Sequence, residues 1–562
     1  MRISTVCCTG LLLVAGLGGG CRNAAPSAGP AGAFRDATTL LSPPFIHNPA
    51  VEGRYDMIES IGSGGGFWDY DGDGDLDIYL LNGRWRKPGG DSLRNALYRQ
   101  EADGRFVDVT AKSGLGDTGY GMGMAVGDID NDGDRDIYIS NAGPDRLYRN
   151  NGDGTFTDVS DAWGVANDDW GCSAAFLDID ADGWLDLIVV NYVAVDPVVV
   201  CTDRAGAPDY CGPGAHPGVP DRLFRNVDGR RFADVGVAAG PGATAGKGLG
   251  VTVLDIDGNG YPDIYVANDG EPNHLWVNRG DGTFADEALR RGLSLNGLGM
   301  AEAGMGVVAG DVDGDLDMDL FLTHLRGETN TLYGNEGALG FRDVTDRAGL
   351  GGPSLPFTGF GTAMIDIDND GDLDIAAVNG RVTRGPLLAV ADEPDYWAPY
   401  AEPNLLFRNT GRGVFTDISS GNPALCDPVH NSRGLAAGDC DNDGGIDLLV
   451  MNEGGPARLL YGDHPDRGNW LTLTLIDPAC NREAYGATAV ISAGGQQWIR
   501  YLNPGGGFLS SHDPRLHVGL GGRTAVDSIR VRWPGGMTET FPGRPANQSL
   551  ILYRGTGDTA GE

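Results

Sequence analysis

The chain has 562 residues, of which 92 are glycine, 31 proline and 41% hydrophobic, with no collagen period; this is a turn-rich globular protein and not a disordered one. Acids outnumber bases by 78 to 41, a formal net charge of −37, which excludes nucleic acid as a partner because no basic face exists to neutralise phosphates. The surplus leaves two readings, a solvated acidic surface or acids committed to cations.

Residues 1–21 read as an export signal. Arg2 is basic, residues 11–17 (LLLVAGL) form a short apolar core, and Gly18-Gly19-Gly20 lead to Cys21. The apolar run is too short to span a membrane as a helix. Small residues directly before a cysteine resemble a bacterial lipoprotein signal, in which that cysteine is lipidated; here Leu17 stands four positions before Cys21 where the usual motif has three. Residues 22–33 are a Gly/Ala/Pro-rich tether. The expectation is an exported monomer, secreted or held on the outer surface of a bacterial membrane only through a lipid anchor.

From residue 34 an aspartate motif recurs seven times: DYDGDGDLD at 69, DIDNDGDRD at 128, DIDADGWLD at 178, DIDGNGYPD at 255, DVDGDLDMD at 311, DIDNDGDLD at 366 and DCDNDGGID at 439. Each copy follows a Gly-rich apolar run and precedes a second apolar run. A segment such as RLYRNNGDGTFTDV (146–159) then reads as a hairpin ending in a Phe-x-Asp strand. One repeat is therefore four short strands, and a ring of such sheets is a β-propeller. Seven Phe-x-Asp strands match the seven loops, but the first, at Phe34, precedes loop one and none follows loop seven. The expectation is a seven-bladed propeller over 34–465, closed by strand 34–38 completing the seventh blade, so that no long edge stays open.

The loops look like half an EF-hand. Position 12, where an EF-hand needs a bidentate Glu, holds Leu80, Ile139, Val189, Val266, Leu322, Ala377 and Val450, all apolar and all in predicted strands. The EF-hand is rejected, yet carboxylates at positions 1, 3, 5 and 9 with a carbonyl at 7 still suit Ca²⁺, which takes 6 to 8 oxygens. The candidate ligands are Asp69, Asp71, Asp73 and Asp77; Asp128, Asp130, Asp132 and Asp136; Asp178, Asp180, Asp182 and Asp186; Asp255, Asp257, Asn259 and Asp263; Asp311, Asp313, Asp315 and Asp319; Asp366, Asp368, Asp370 and Asp374; and Asp439, Asp441, Asp443 and Asp447. The loops hold 31 of the acids, leaving 47 against 41 bases elsewhere, so the acidity sits where metal would be. Up to seven structural Ca²⁺ ions are expected. The loop at 311, with Leu316 at position 6 and Gly314 displaced forward, is expected to be the weakest or distorted.

Both long insertions join second to third strands, at 191–221 and 380–404, and so decorate the face away from the loops. Cys201 and Cys211 in the first are placed to form a disulfide; Cys426 and Cys440 are a weaker pair. Tyr396, Trp397 and Tyr400 in the second suit stacking on sugars or packing on protein, or pack on their own blade. Asn268, Asp269, Asn273, His324 and Glu328 on the same face are candidates for a polar ligand pocket. Arg279-Gly280-Asp281 spells RGD, but it occupies the hairpin turn used by every repeat. No H-E-x-x-H, P-loop or G-x-S-x-G motif occurs, so no catalytic residue is assigned. Residues 468–554 alternate as short strands and read as a small β-sandwich, with a flexible tail at 555–562.

These motifs carry a resemblance. The loops and their frame are similar to the FG-GAP/VCBS repeats of integrin-α-type propellers. LTLTL (471–475), NREAYGA (481–487), HVGLG (517–521) and VRWPGG (531–536) resemble the ASPIC/UnbV domain. With YCGP (210–213), VANDGEPN (266–273) and AGMGVVAGD (303–311), the whole resembles bacterial relatives of cartilage acidic protein. Leu316, Val518 where the family usually has Phe, and NGRV (379–382) where relatives often carry NGH are departures. The resemblance implies calcium binding and an extracytoplasmic location, and no defined reaction. The chain is thus expected to be an exported all-β calcium-binding module that binds glycans or proteins at a cell surface. The alternative is an extracytoplasmic polysaccharide lyase, hydrolase or tailoring enzyme, with its site in the channel or on the face away from calcium.

Overall fold

A computed structural model describes residues 32–51, 53–83, 93–196, 199–203, 205–388 and 396–559. The signal at 1–21, Cys21 and most of the tether lie outside the described residues.

The fold is all-β. Seven four-stranded antiparallel blades succeed one another, with innermost strands at Gly65–Trp68, Gly121–Gly127, Gly171–Leu177, Gly248–Leu254, Val307–Gly310, Gly359–Ile365 and Ser432–Gly438. Successive innermost strands touch and the seventh touches the first, so the ring closes. The closing strand is Phe34–Asp36, which pairs with Arg458–Gly462 as the outer strand of blade seven. Neighbouring blades bury apolar clusters between them, such as Trp68, Tyr79, Met124, Ile137 and Phe156 between blades one and two.

Phe-x-Asp does more than end a blade. In Phe156–Asp158, Asp158 Oδ1 accepts the Ser160 N–H at 3.0 Å and opens a one-turn helix, Ser160–Trp163. Ser160 Oγ in turn accepts Leu147 N–H at 2.8 Å on the third strand. Thr110 and Thr345 repeat this in blades one and five. These short helices are too brief to leave a helical period in the sequence.

The C-terminal segment forms two sheets. In one, Asn469–Asp477 is flanked by Leu516–Gly521 and, in parallel, by Gln548–Tyr553. The other runs Gln496–Tyr501, Thr488–Ala493, Ser528–Arg532, Thr538–Pro542 and Asp558–Thr559. Alternation sets the inner face: Leu471, Leu473 and Leu475 are buried with Ile491, Trp498, Ile529 and Trp533. The last strand corrects the expected boundary, since residues 558–559 pair with Glu539 and Thr540 instead of trailing as a flexible tail.

The two units interlock. Residues 503–513 (NPGGGFLSSHD) leave the sandwich as a hairpin and enter the propeller axis, where Ser510 and Ser511 pair in parallel with Gly65 and Gly66. Every innermost strand meets this hairpin. Gly65 N–H donates to Leu509 O, Leu509 N–H to Ser173 Oγ, and Gly507 and Val307 exchange backbone bonds at 2.7 and 3.1 Å. Ala437 N–H donates to His512 Nδ1, Phe508 packs on Phe360 at 5.0 Å, and the backbones of Gly123 and Gly250 close around Leu509 and Gly507. Glycine is required for this approach. A Cβ at Gly64 would sit 2.2 Å from Leu509 O, and one at Gly66 would sit 2.4 Å from Ser511 O. From the other end Met57, Ile58 and Ile61 enter the same apolar cluster, so the channel is filled from both sides.

Candidate metal centres beneath the C-terminal domain

Each aspartate loop joins the first strand of a blade to the second, as at Asp128–Asp136 between Gly121–Gly127 and Asp136–Asn141. Positions 4 and 6 are left-handed in all seven loops. Position 4 is Gly72, Asn131, Ala181, Gly258, Gly314, Asn369 and Asn442; position 6 is Gly74, Gly133, Gly183, Gly260, Leu316, Gly371 and Gly444. Two such turns wrap the backbone around one point. Gly314 is therefore not displaced: it fills the ordinary position 4, and Leu316, at φ +74°, adopts a conformation that six other loops give to glycine.

The carboxylates divide into two jobs. Position 1 holds the loop: Asp128 accepts Asp132 N–H on Oδ1 and Gly133 N–H on Oδ2 at 3.2 and 2.8 Å. Position 9 fastens the loop to the sheet. Asp136 Oδ2 accepts Ile129 N–H and Oδ1 accepts Asn150 N–H, and the equivalent pair of bonds is present at Asp77, Asp186, Asp263, Asp319, Asp374 and Asp447. Position 3 is different: Asp130, Asp180, Asp313 and Asp368 each have Oδ1 buried with no hydrogen-bond partner. A buried charged oxygen without a partner is costly, and a cation supplies one.

Among the described residues three carboxylates bring oxygens within 4.8 Å of one another in at least five of the loops. The groups are Asp69/Asp71/Asp77, Asp128/Asp130/Asp136, Asp178/Asp180/Asp186, Asp255/Asp257/Asp263 and, in the loop at 311, Asp311/Asp313/Asp315. Burial, with repulsion from neighbouring acids, raises these groups: Asp77 to about 9, Asp128 to about 7, Asp130 to about 6 and Asp366 to about 7. Asp136, Asp186, Asp374 and Asp447 lie well above the usual carboxylate range, again chiefly through burial. These loops can hold metal ions.

The motif also contains residues that the reading of aspartates overlooks. Asn150, Asn226, Asn278 and Asn409 end the third strands, and each donates its Nδ2–H to the position-2 carbonyl of the preceding blade's loop, at 2.8–2.9 Å. Gln100 does the same across the ring closure, to Cys440 O at 3.0 Å. The recurring R-N before the turn was the available signal. The Oδ1 atoms of Asn150 and Asn278 accept Gly152 and Gly280 N–H, which accounts for the RGD tripeptide as turn chemistry.

The opposite face corrects several expectations. Trp397 and Tyr400 are 4% and 1% exposed. They pack with Tyr210 of the disulfide loop, whose ring is parallel to Trp397, and with Tyr55 and Tyr396; only Tyr396 of the three insertion aromatics keeps part of its surface open. Tyr210 Oη donates to Glu59 and Tyr400 Oη to Asp209. Asn268 and Asn273 are buried and bonded to each other, Asp269 accepts from Tyr192 Oη, Glu328 accepts Ala303 N–H, and His324 is 1% exposed. These groups close turns between blades and do not line an open pocket. The Cys201–Cys211 disulfide is formed, whereas Cys426 and Cys440 are separate buried thiols. Phe508, Leu509 and Met57 pack the middle of the channel, and between the inner strands and the C-terminal domain a cavity of about 190 Å³ stays open, lined by Asp366, Arg500, His512, Asp513 and Arg515 among others.

Family comparison agrees with the geometry. FG-GAP-like repeat models match residues 69–139, 128–189 and 255–322, and the ASPIC and UnbV model matches 477–559. The chain is 28% identical over 392 residues to cartilage acidic protein 1 of Homo sapiens, covering 64% of this chain and 54% of that protein. It is 27% identical over 300 residues to the Xenopus tropicalis protein, covering 51% and 42%. The chain thus spans about half the length of these relatives. Among solved structures it is similar to an Agrocybe aegerita lectin that recognises non-reducing terminal N-acetylglucosamine (16% identity, 64% of this chain, 79% of that chain, TM-score 0.35). It is also similar to a Bacillus licheniformis rhamnogalacturonan lyase (14%, 76%, 75%, TM-score 0.37). Scores this low say nothing of function. The chain is an all-β protein that carries FG-GAP-like repeats followed by an ASPIC/UnbV domain.

Proposed function

We propose that this chain is an exported calcium-binding propeller that serves as a cell-surface binding or adhesion-type module for glycans or proteins, with calcium in a structural role. The observation that carries the calcium reading is the set of orphaned, buried Oδ1 atoms at Asp130, Asp180, Asp313 and Asp368 inside all-oxygen loops. A hard cation of flexible coordination number suits such loops, and extracellular calcium near millimolar fills even weak ones. The acids at positions 1 and 3 would hold it, joined by position 9 in the loops at 69, 128, 178 and 255 and by position 5 in the loop at 311, with position 9 also bracing the site against the sheet; bound calcium would supply charge neutralisation and no chemistry on a substrate.

A binding role follows from what remains accessible. The C-terminal domain lies over the loop face and the middle of the channel is packed, which favours the opposite face for recognition, where Tyr55, Tyr396 and Arg384 reach the surface of the aromatic cluster. The enzyme alternative would use that same face or the cavity between the inner strands and the C-terminal domain. Calcium titration by calorimetry tests the metal reading. A glycan array and a protein-binding screen on the calcium-loaded full chain test the recognition reading; silence in both, with turnover of a polysaccharide, would favour the enzyme.

A further inference from the structure

The C-terminal domain does not touch the metal loops at random. Its hydrogen bonds land on the outward side of positions 4 and 6, the two left-handed residues. Arg482 donates to Asn131 Oδ1 at 3.1 Å and to Gly183 O at 3.1 Å. Arg532 donates to Gly258 O at 2.7 Å and pairs with Asp255 at 3.0 Å. Gly521 N–H donates to Asn369 O at 2.7 Å, Arg500 reaches Gly371 O, and His517 Nε2 lies 3.1 Å from Gly444 O. Arg515 holds Asn442 Oδ1 at 2.6 Å and Asp439 O. Five of the seven loops are read in this way, four through main-chain carbonyls that point outward only while the double left-handed turn is formed and the loop at 128 through the Asn131 side-chain amide oxygen.

Two of these contacts fall where the propeller's own latch is missing. The Asn and Gln latches secure the loops of blades one, two, three, five and seven. Asn335 bonds within its own blade, to Met318 O, and blade seven has Gly462 in the Asn position, so no such bond is present at Ile256 O or Ile367 O among the described residues. The loops at 255 and 366 are the ones gripped by Arg532 and by the Gly519 and Gly521 amides.

We infer that calcium occupancy of the loops and docking of the C-terminal domain, with its hairpin 503–513 in the channel, are one coupled equilibrium. This inference rests on the calcium reading above. Calcium fixes the loop shape; the domain binds only that shape; by linkage each therefore strengthens the other by the same factor. The Arg532–Asp255 pair opposes this, since calcium would neutralise part of Asp255. With the Gly519 N–H bond to Asp366 Oδ2 it makes two contacts to carboxylates against eight to carbonyl or amide oxygens that calcium does not neutralise, so the coupling is positive.

The test uses the full chain and two measurements, calorimetric calcium titration and amide hydrogen exchange over 503–513. Removing calcium with a chelator is expected to speed exchange at Gly507, Leu509 and Asp513 by roughly tenfold or more, and returning calcium to restore protection. Arg515→Ala/Arg532→Ala is expected to weaken calcium binding by roughly tenfold, because coupling is reciprocal. Arg530→Ala, whose side chain is exposed on the sandwich, serves as the control and leaves calcium binding unchanged. Calcium binding with no change in hairpin exchange would overturn the coupling alone. Absence of calcium binding would overturn both it and the reading beneath it. The chelation arm needs no variant, so a variant that fails to fold does not block the test.

Discussion

Asp136 accepts the Asn150 N–H on Oδ1 at 2.7 Å, and with its other oxygen it accepts Ile129 N–H at 2.9 Å. One buried carboxylate thus joins the metal loop to the first turn inside it and to the third strand of the blade. This bond pattern separates position 9 from position 3, although both look like ligands in the sequence. Asp136→Asn puts an amide donor against a backbone donor and is expected to cost about 1–3 kcal/mol even with chelator present. Asp130→Asn removes a charge repelled by Asp132, and is expected to leave the chelated protein as stable as before, or more so, while weakening calcium binding roughly tenfold. Thermal melts of both variants in chelator decide it; equal losses would mean that the division of labour is wrong.

The buried acids make the metal-free protein sensitive to base. Their folded values are raised from 3.8, to about 7 for Asp128, Asp366 and Asp439 and about 9 for Asp77, with burial the largest cause. A group raised on folding contributes stability that is present below its unfolded value and is lost as pH climbs through its folded value. In chelator, the melting temperature is therefore expected to fall between about pH 5 and pH 9. With saturating calcium the carboxylates are held ionised, so the trend reverses and acid destabilises by displacing metal. A chelated protein that is more stable at pH 8.5 than at pH 5.5 would contradict this account.

Leu316 holds a left-handed conformation at φ +74° in a position that is glycine in the other six loops, and its side chain is only partly buried. A Cβ in that region costs roughly 1–2 kcal/mol, partly offset by the greater chain entropy that glycine loses on folding. Leu316→Gly is expected to stabilise the protein by about 0.5–1 kcal/mol and to tighten calcium binding at this loop. A lower melting temperature would show that the packing of the Leu316 side chain outweighs the strain it bears.

Much of this architecture is legible because the repeat is local. The register of aspartates, the position-12 apolar residues and the count of Phe-x-Asp strands each lie within one blade, and Phe34 betrays the ring closure by standing out of order. The hairpin at 503–513 is not legible. Gly505-Gly506-Gly507-Phe508-Leu509 reads as a turn between sandwich strands, because nothing nearby in the chain says that its partners are Gly65, Val307 and Phe360. The burial of Trp397 and Tyr400 is hidden for the same reason, being decided by Tyr210 and Tyr55 from distant segments. The glycine-rich inner strands were a partial signal: glycine in a strand marks close backbone approach, which at Gly64 and Gly66 is to the hairpin of the other domain and at Gly123, Gly250 and Gly306 is to the neighbouring blade.

The asparagine latch carries the last prediction. Asn226 is 1% exposed and bridges Ile129 O of the preceding blade to Leu185 O of its own, at 2.9 and 3.0 Å. Asn335, at the equivalent position, donates to Met318 O and accepts Gly337 N–H, both in its own blade, and is partly exposed. Asn226→Ala strands two buried carbonyls and one glycine N–H, at Gly229, and is expected to cost about 2–3 kcal/mol. Asn335→Ala releases a longer bond at 3.3 Å and an exposed Gly337 N–H that water can take over, and should cost under about 1 kcal/mol. The difference is read from paired denaturant melts at fixed calcium. If the two substitutions cost the same, the latch does not join the blades, and the metal loops stand as seven separate sites instead of a chained rim. If Asn226→Ala also lowers calcium affinity at the loop beginning with Asp128, the latch transmits loop shape from blade to blade, since Ile129 is the residue whose N–H and C=O are held by Asp136 and Asn226 at once.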